Sequence, residues 1–273
     1  MKSRIEAILS EAGGTWHVSA RLGGQTVYSL NEEEAVRSAS TIKLTVLLAA
    51  LRAVMSGRLL LDQQVQLPDE CVGGSGVLRL LPSVRTLPLR ELLVLMIAVS
   101  DNTATNAVID LVGFDEINEI SGAAGAEGMI LARHMMDTAA VLAGRDNLVT
   151  ARGLTAIVEA LIMPDRILPG ELATVAREML GAQQFNERIP GLLPGSLTVL
   201  HKTGELDGIC HDAGAVVLPD GRFLLISVLG VGVGAANRHT PGDTIARITR
   251  EIVSAVAELG TAPRYDGRRV CSR

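Results

Sequence analysis

The stretch "HDAGAVVLPDGRFLLISVLGV", residues 211–231, decides the fold. Two apolar runs flank Pro219-Asp220-Gly221, a turn in which proline presets its own φ, aspartate bonds the backbone ahead and glycine takes conformations closed to other residues. The pattern predicts a β-hairpin. Upstream, "SLTVLHKTG" (196–204) supplies another strand, and downstream "GDTIARITREIVSAVAEL" (242–259) carries apolar residues at helical spacing. The N-terminal end mirrors this. "MKSRIEAILSEAGG" reads as a short amphipathic helix ending at Gly13-Gly14, and "TWHVSARLGGQTVYSL" (15–30) alternates, turns at Gly23-Gly24 and alternates again.

Between these β-rich ends the chain changes period. "LPLRELLVLMIAVS" (87–100), "NTATNAVIDLVG" (102–113), "TARGLTAIVEALI" (150–162) and "GELATVAREML" (170–180) all show the 3.6-residue repeat. The expected fold class is therefore α+β: an α/β/α sandwich whose antiparallel sheet draws strands from both termini, with an all-helical domain inserted. The boundaries fall at 1–36 and 196–273 for the sheet domain and 37–195 for the helical domain, with the site at their interface.

Composition excludes several functions. The 273 residues carry a net charge of −5 without a basic run, and aromatics are only 2%, so neither the electrostatic footprint nor the stacking platforms of a nucleic-acid binder are present. Apolar stretches are interrupted well short of the roughly 20 residues needed to span a bilayer. Cys71, Cys210 and Cys271 are odd in number and in no metal-ligand spacing, which argues against a disulfide framework and a metal site. No cofactor is called for, and a monomer is expected. The N-terminus lacks the h-region of a signal peptide, so the chain as it stands reads as cytoplasmic, or as periplasmic or secreted where an export signal has been removed.

Three polar islands interrupt the apolar pattern. In "SASTIKL" (38–44), Ser40 and Lys43 are three residues apart at the start of an apolar helical stretch, so their side chains share a face. Taken alone they read as a cap and a snorkelling cation. Ser100-Asp101-Asn102 lies between two helices, where a polar turn and N-cap is the plain account. Lys202-Thr203-Gly204 ends a strand, where a lysine commonly protects a sheet edge.

In this order, S-x-x-K, S-D-N and K-T-G form a motif set whose joint occurrence is far more specific than any one of them. Together with the glycine-bearing loop "GGSGVLRLL" (73–81), and with Arg145, Asp146 and Thr150, they make the sequence resemble class A β-lactamases and related penicillin-recognising serine hydrolases over nearly its whole length. The resemblance implies a Ser40 acyl-enzyme. A serine hydroxyl needs a base as it attacks, and Lys43 is placed for this if desolvation and the second cation, Lys202, lower its pKa. The Ser40 backbone N–H, at a helix start, is half of an oxyanion hole. By resemblance the Glu205 N–H is the other half. Ser100 is the expected proton shuttle, and Asn102 is expected to orient Lys43 and bind a substrate amide. Lys202, Thr203 and Gly204 are expected at a substrate carboxylate, with His211 the closest candidate for a second cation there.

One position departs from the family. Class A enzymes hydrolyse the acyl-enzyme with an omega-loop glutamate two residues after an arginine. In "LARHMMDTAAVLAGRDN" (131–147), Arg133 matches the arginine, but Met135 stands where the glutamate is expected. Asp137 is the candidate substitute base, while Asp146 is expected to anchor the loop through Arg133. Three outcomes remain open for the small-molecule substrate. These are β-lactam hydrolysis with slow or atypical deacylation, esterase, acyltransferase or DD-peptidase-like chemistry on another acyl donor, and a covalent sensor or trap that does not turn over.

Overall fold

The computed structural model describes residues 1–234 and 239–261. Helix α1 (Lys2–Ala12) stops at Gly13, whose φ of 63° ends the helical path. Strands β1 (Thr15–Leu22) and β2 (Gln25–Leu30) follow, joined through Gly23 and Gly24 at φ 57° and 79°. Positive φ at both central residues suits the tight turns that match the twist of paired strands, and glycine takes it without strain.

The chain then leaves the sheet. A two-residue strand β3 (Val36–Arg37) leads into a 3₁₀ turn (Ala39–Ile42) and helix α2 (Lys43–Met55). Strands β4 (Gln64–Gln66) and β5 (Thr86–Pro88) pair as a small ribbon. Helices α3 (Leu89–Ala98), α4 (Asn102–Val112), α5 (Phe114–Ala123) and α6 (Thr138–Leu142) come next, then β6 (Leu148–Val149), which pairs with β3, and helices α7 (Ala151–Ile162) and α8 (Gly170–Gly181). Strands β7 (Val199–Leu206), β8 (Ile209–Val217) and β9 (Phe223–Val231) complete the sheet before α9 (Pro241–Thr261).

The five-stranded sheet has the order β2-β1-β9-β8-β7 and its pairings are all antiparallel. Strands from both ends of the chain meet in the β1·β9 pairing, as the alternation at the two termini predicts. Each face covers its own core. Ile5, Ile8, Trp16, Val18, Val228, Ile245, Ile248 and Ile252 gather on the side of α1 and α9. Leu200, Ala213, Ala215, Leu225 and Leu229 join the helical layer, where Leu44, Leu47, Leu48 and Leu51 of α2 are completely buried. Residues 209–216 of β8 are all buried, because that strand is covered on both faces and flanked on both sides. β7 is the sheet's edge, and the 3₁₀ turn bearing Ser40 packs against it. Among the described residues no helix is long and apolar enough to cross a membrane, and no cluster of His, Cys, Asp and Glu could hold a metal. Cys71 is exposed and Cys210 buried; Cys271 lies outside the described residues.

Candidate active site

Ser40 lies in the 3₁₀ turn, one residue after Ala39, whose φ of 45° is the left-handed region that a non-glycine residue rarely occupies. Ser100 has φ 58° and Met136 φ 64°, and Ala39 and Met136 both line the cleft that holds Ser40. Such backbone costs on the order of 1–3 kcal/mol per residue and persists where its surroundings hold it. The α-helix proper begins at Lys43, which remains one turn from Ser40 as the spacing requires.

Lys43 is completely buried, and its Nζ donates to the Ser100 carbonyl oxygen at 2.7 Å, to Ser100 Oγ at 3.1 Å and to Asn102 Oδ1 at 2.8 Å. Burial pushes its pKa well below the ordinary lysine value, the Lys202 charge pushes it further, and Asp101 opposes. Among the described residues Ser40 Oγ takes part in no hydrogen bond.

The S-D-N segment is held from below by its aspartate. Buried Asp101 accepts from Val77 N at 2.7 Å and Leu78 N at 2.9 Å, and caps α4 by accepting from Ala104 N at 2.9 Å. A carboxylate bonded to three N–H groups is a strong anchor. The glycines beside it permit this approach: a Cβ on Gly76 would sit 2.3 Å from Asp101 Oδ2, and one on Gly74 would sit 2.7 Å from Asn102 Nδ2. Asn102 Nδ2 donates to Gly73 O at 3.0 Å, while its oxygen faces Lys43.

Lys202 is also completely buried, with Nζ donating to Thr203 O at 2.7 Å. Burial lowers its pKa to about 7, with Asp212 opposing the fall and Arg188 adding to it. Gly204 lets β7 close on the serine turn, since a Cβ there would stand 3.1 Å from Ser40 N. The phase of β7 follows from one bond. Val217 N donates to Thr198 O at 2.9 Å, and the register runs without a shift from Val199↔Val216 to Leu206↔Ile209. Bonded and non-bonded pairs alternate along an antiparallel ladder, so Glu205, opposite Cys210, turns its N–H away from β8 to the free edge.

The structure corrects the expectation for His211. It is completely buried on β8, between β9 and β7, its Nε2 meets Arg37 O at 2.9 Å, and burial lowers its pKa to about 4, so the ring is neutral at pH 7. A neutral interior ring cannot supply a cation. The cation that does neighbour Lys202 is Arg188, 4% exposed, which donates to Gly204 O and His211 O at 2.8 Å each and pairs with Glu205. Nothing in "FNERIPG" marks this arginine, because it reaches β7 from a loop with no regular spacing. A fully buried pair, His201 with Asp212 at 3.0 Å, pins the same loop through Ile189 N.

The opposite wall comes from residues 133–147. Burial works against the Asp146 carboxylate, but bonds from Arg37 at 2.6 Å and Arg133 at 2.9 Å outweigh it and hold its pKa below the ordinary value. Met135 is 7% exposed, and Asn106 clamps its backbone on both sides, accepting from its N–H at 2.8 Å and donating to its carbonyl at 3.2 Å. Asp137 caps α6 by accepting from Ala140 N at 2.9 Å. Between the walls lies a cleft of about 570 Å³ whose lining includes Ser40, Asn102, Glu205, Met135 and Asp137.

Comparison with known proteins agrees with this arrangement. The model of the "Beta-lactamase enzyme family" matches residues 1–256. A β-lactamase from Sphaerobacter thermophilus superposes with a TM-score of 0.84 at 31% identity, over 94% of this chain and 97% of that one. The extended-spectrum β-lactamase PER-1 of Pseudomonas aeruginosa is 26% identical over 81% of this chain and 75% of its own. The β-lactamase regulatory protein BlaB of Streptomyces cacaoi is 25% identical over 82% of this chain and 89% of its own. A chain with this sheet, this helical layer and this match over nearly its full length belongs to the beta-lactamase enzyme family and is a serine enzyme of the acyl-enzyme type.

Proposed function

We propose that the chain acylates Ser40 with a β-lactam or a related activated acyl donor, and that release of the acyl group is the slow half of its cycle. Neutral Lys43 takes the Ser40 hydroxyl proton as Oγ attacks the carbonyl carbon. The developing oxyanion meets the N–H groups of Ser40 and Glu205. As the bond to the leaving group breaks, the proton passes from Lys43 through Ser100 Oγ to the departing nitrogen or oxygen. Of the three groups around Lys43 Nζ, the Ser100 hydroxyl alone can both donate and accept, which suits it to the relay. Asn102 orients Lys43, and Lys202 with Thr203 receives a substrate carboxylate, reinforced by the field of Arg188. One observation carries the reading: a completely buried lysine bonded to Ser100 and Asn102, with its pKa depressed by burial and by a second buried lysine.

The slow second half rests on Met135, whose thioether cannot activate water. Asp137 is the rival base, and one of its oxygens already serves α6. The same observation supports a second reading, a covalent sensor that holds its ligand, in keeping with a relative named as a regulatory protein. Mixing the protein with a chromogenic cephalosporin and following both colour and intact mass separates the two. A burst with slow turnover fits the enzyme. A stoichiometric adduct that does not decay fits the sensor.

A further inference from the structure

We infer that a cavity between β1 and α7 is a second binding site, separate from the Ser40 cleft, for a small tetrahedral oxyanion: a phosphate or sulfate ion, or the phosphoryl head of a larger molecule. The cavity measures about 150 Å³ and shares no lining residue with the cleft. Three arginines from three segments line it: Arg21 near the end of β1, Arg152 in the first turn of α7 and Arg166 in the loop after that helix. The phase of β1 accounts for Arg21. Trp16, Val18 and Ala20 belong to the core on the α1 and α9 side, so Ser19 and Arg21 face the helical layer, and Ser19 Oγ meets Thr155 Oγ1 of α7 at 3.4 Å.

The protein answers these guanidiniums only in part. Among the described residues Arg21 has no carboxylate partner: it donates to Gly24 O at 3.1 Å and to Thr26 Oγ1 at 3.5 Å, two acceptors for five N–H donors. Arg166 meets one carboxylate oxygen, Glu159 Oε2, at 3.5 Å, and Arg152 reaches Glu33 and Glu32 through a single amino group, at 3.3 and 3.8 Å. Glu32 and Glu33 stand outside the lining, where three guanidiniums face the one carboxylate of Glu159 and leave a formal charge of +2. Like charges gathered around so small a volume repel one another, and an anion among them relieves that repulsion. Guanidinium forks match phosphate and sulfate oxygens in paired hydrogen bonds. Donors arriving from three segments suit a group with three or four oxygens better than the two oxygens of a carboxylate.

The test is equilibrium dialysis of the whole chain against radiolabelled inorganic phosphate, in chloride buffers of constant ionic strength so that screening does not change. The wild type should bind phosphate with a Kd of about 1 mM or tighter, and Arg21→Gln and Arg166→Gln should each weaken that binding at least about tenfold. Both side chains are partly in water, so the variants should fold; circular dichroism in chloride checks this, and either folded variant decides the outcome. Phosphate should also raise the melting temperature of the wild type more than that of the variants, a comparison that removes the general stabilising effect of the salt. Glycerol phosphate as a competitor identifies the source. Competition stronger than that of phosphate assigns the site to the head of a phosphomonoester, and weaker competition assigns it to the free ion. No saturable binding up to about 10 mM phosphate would overturn the inference. Binding that both variants retain would overturn it equally, since an ion held beside Lys202 would behave that way.

Discussion

Ser100 presents both its carbonyl oxygen and its hydroxyl to the buried Lys43 Nζ, at 2.7 and 3.1 Å, across 57 residues of chain. The double contact depends on the left-handed backbone of Ser100, φ 58°, which Asp101 stabilises by gripping the loop before it and the helix after it. Strained backbone at a serine, supported by a fully bonded carboxylate, is what a prepared site needs and what a simple turn does not.

If Lys43 is the base, its ability to lose a proton matters more than its charge. Lys43→Arg should lower the acylation constant by at least about 100-fold, because guanidinium does not deprotonate at accessible pH. Lys43→Met, which drops the nitrogen while keeping much of the volume, should be as slow. Stopped-flow acylation checks both, with melting temperatures to verify folding. A near-normal rate in the Arg variant would make Lys43 an electrostatic prop.

The pH profile should divide substrates by whether they carry a carboxylate. Lys202, with a pKa of about 7, loses its charge as pH rises through neutrality. Acylation by a penicillin should therefore fall on the alkaline side of about pH 7, while acylation by an uncharged aryl ester should lack that limb. Lys202→Arg should remove the limb for the penicillin. Identical profiles for both substrates would detach Lys202 from carboxylate binding.

Deacylation should respond to a carboxylate introduced at residue 135 and not to the removal of one at residue 137. Met135→Glu places a carboxylate on the wall held by Asn106 and should shorten the acyl-enzyme lifetime, though a misplacement of about an ångström would cost about 100-fold of the gain. Asp137→Asn keeps a good helix cap, so stability should hold. Decay of the isolated acyl-enzyme, followed by mass, should then be unchanged. Rapid wild-type turnover abolished by Asp137→Asn would assign the base to Asp137.

His211 should mark the acid limit of stability. Its folded pKa of about 4 lies below the ordinary 6.5, so between these values the unfolded chain binds a proton that the native protein refuses. That contribution is fully present above pH 6.5 and is lost as pH falls through 4. It amounts to about 3 kcal/mol by linkage. Urea midpoints between pH 7 and 4 should fall less steeply for His211→Gln than for the wild type. Parallel slopes would show that the ring is charged, or not buried, in solution.

The two termini were legible because their strands alternate and their turns carry Gly-Gly and Pro-Asp-Gly. The helices at 89–112 and 151–181 were legible because they carry one apolar face. The polar islands could be read because S-x-x-K, S-D-N and K-T-G each join an apolar element at a fixed place. His211 was offered as a second cation because it lies on the strand after K-T-G, where the resemblance leads one to look for a cation, but β8 is covered on both faces and burial keeps the ring neutral. In such a strand polarity says nothing about exposure. Arg188 was missed because it acts on β7 from a loop, at a distance that no local pattern encodes. The 3₁₀ form of the Ser40 turn was also beyond pattern, since it depends on packing against β7 at Gly204.

The central claim is a covalent bond to Ser40, and peptide mapping of the protein after brief exposure to benzylpenicillin tests it most directly. The account predicts one adduct with the full mass of the penicillin, carried by the peptide containing Ser40 and absent in Ser40→Ala. That variant should keep its stability, since the Ser40 side chain caps neither the 3₁₀ turn nor α2. An adduct on another residue, or undiminished labelling of Ser40→Ala, would contradict it.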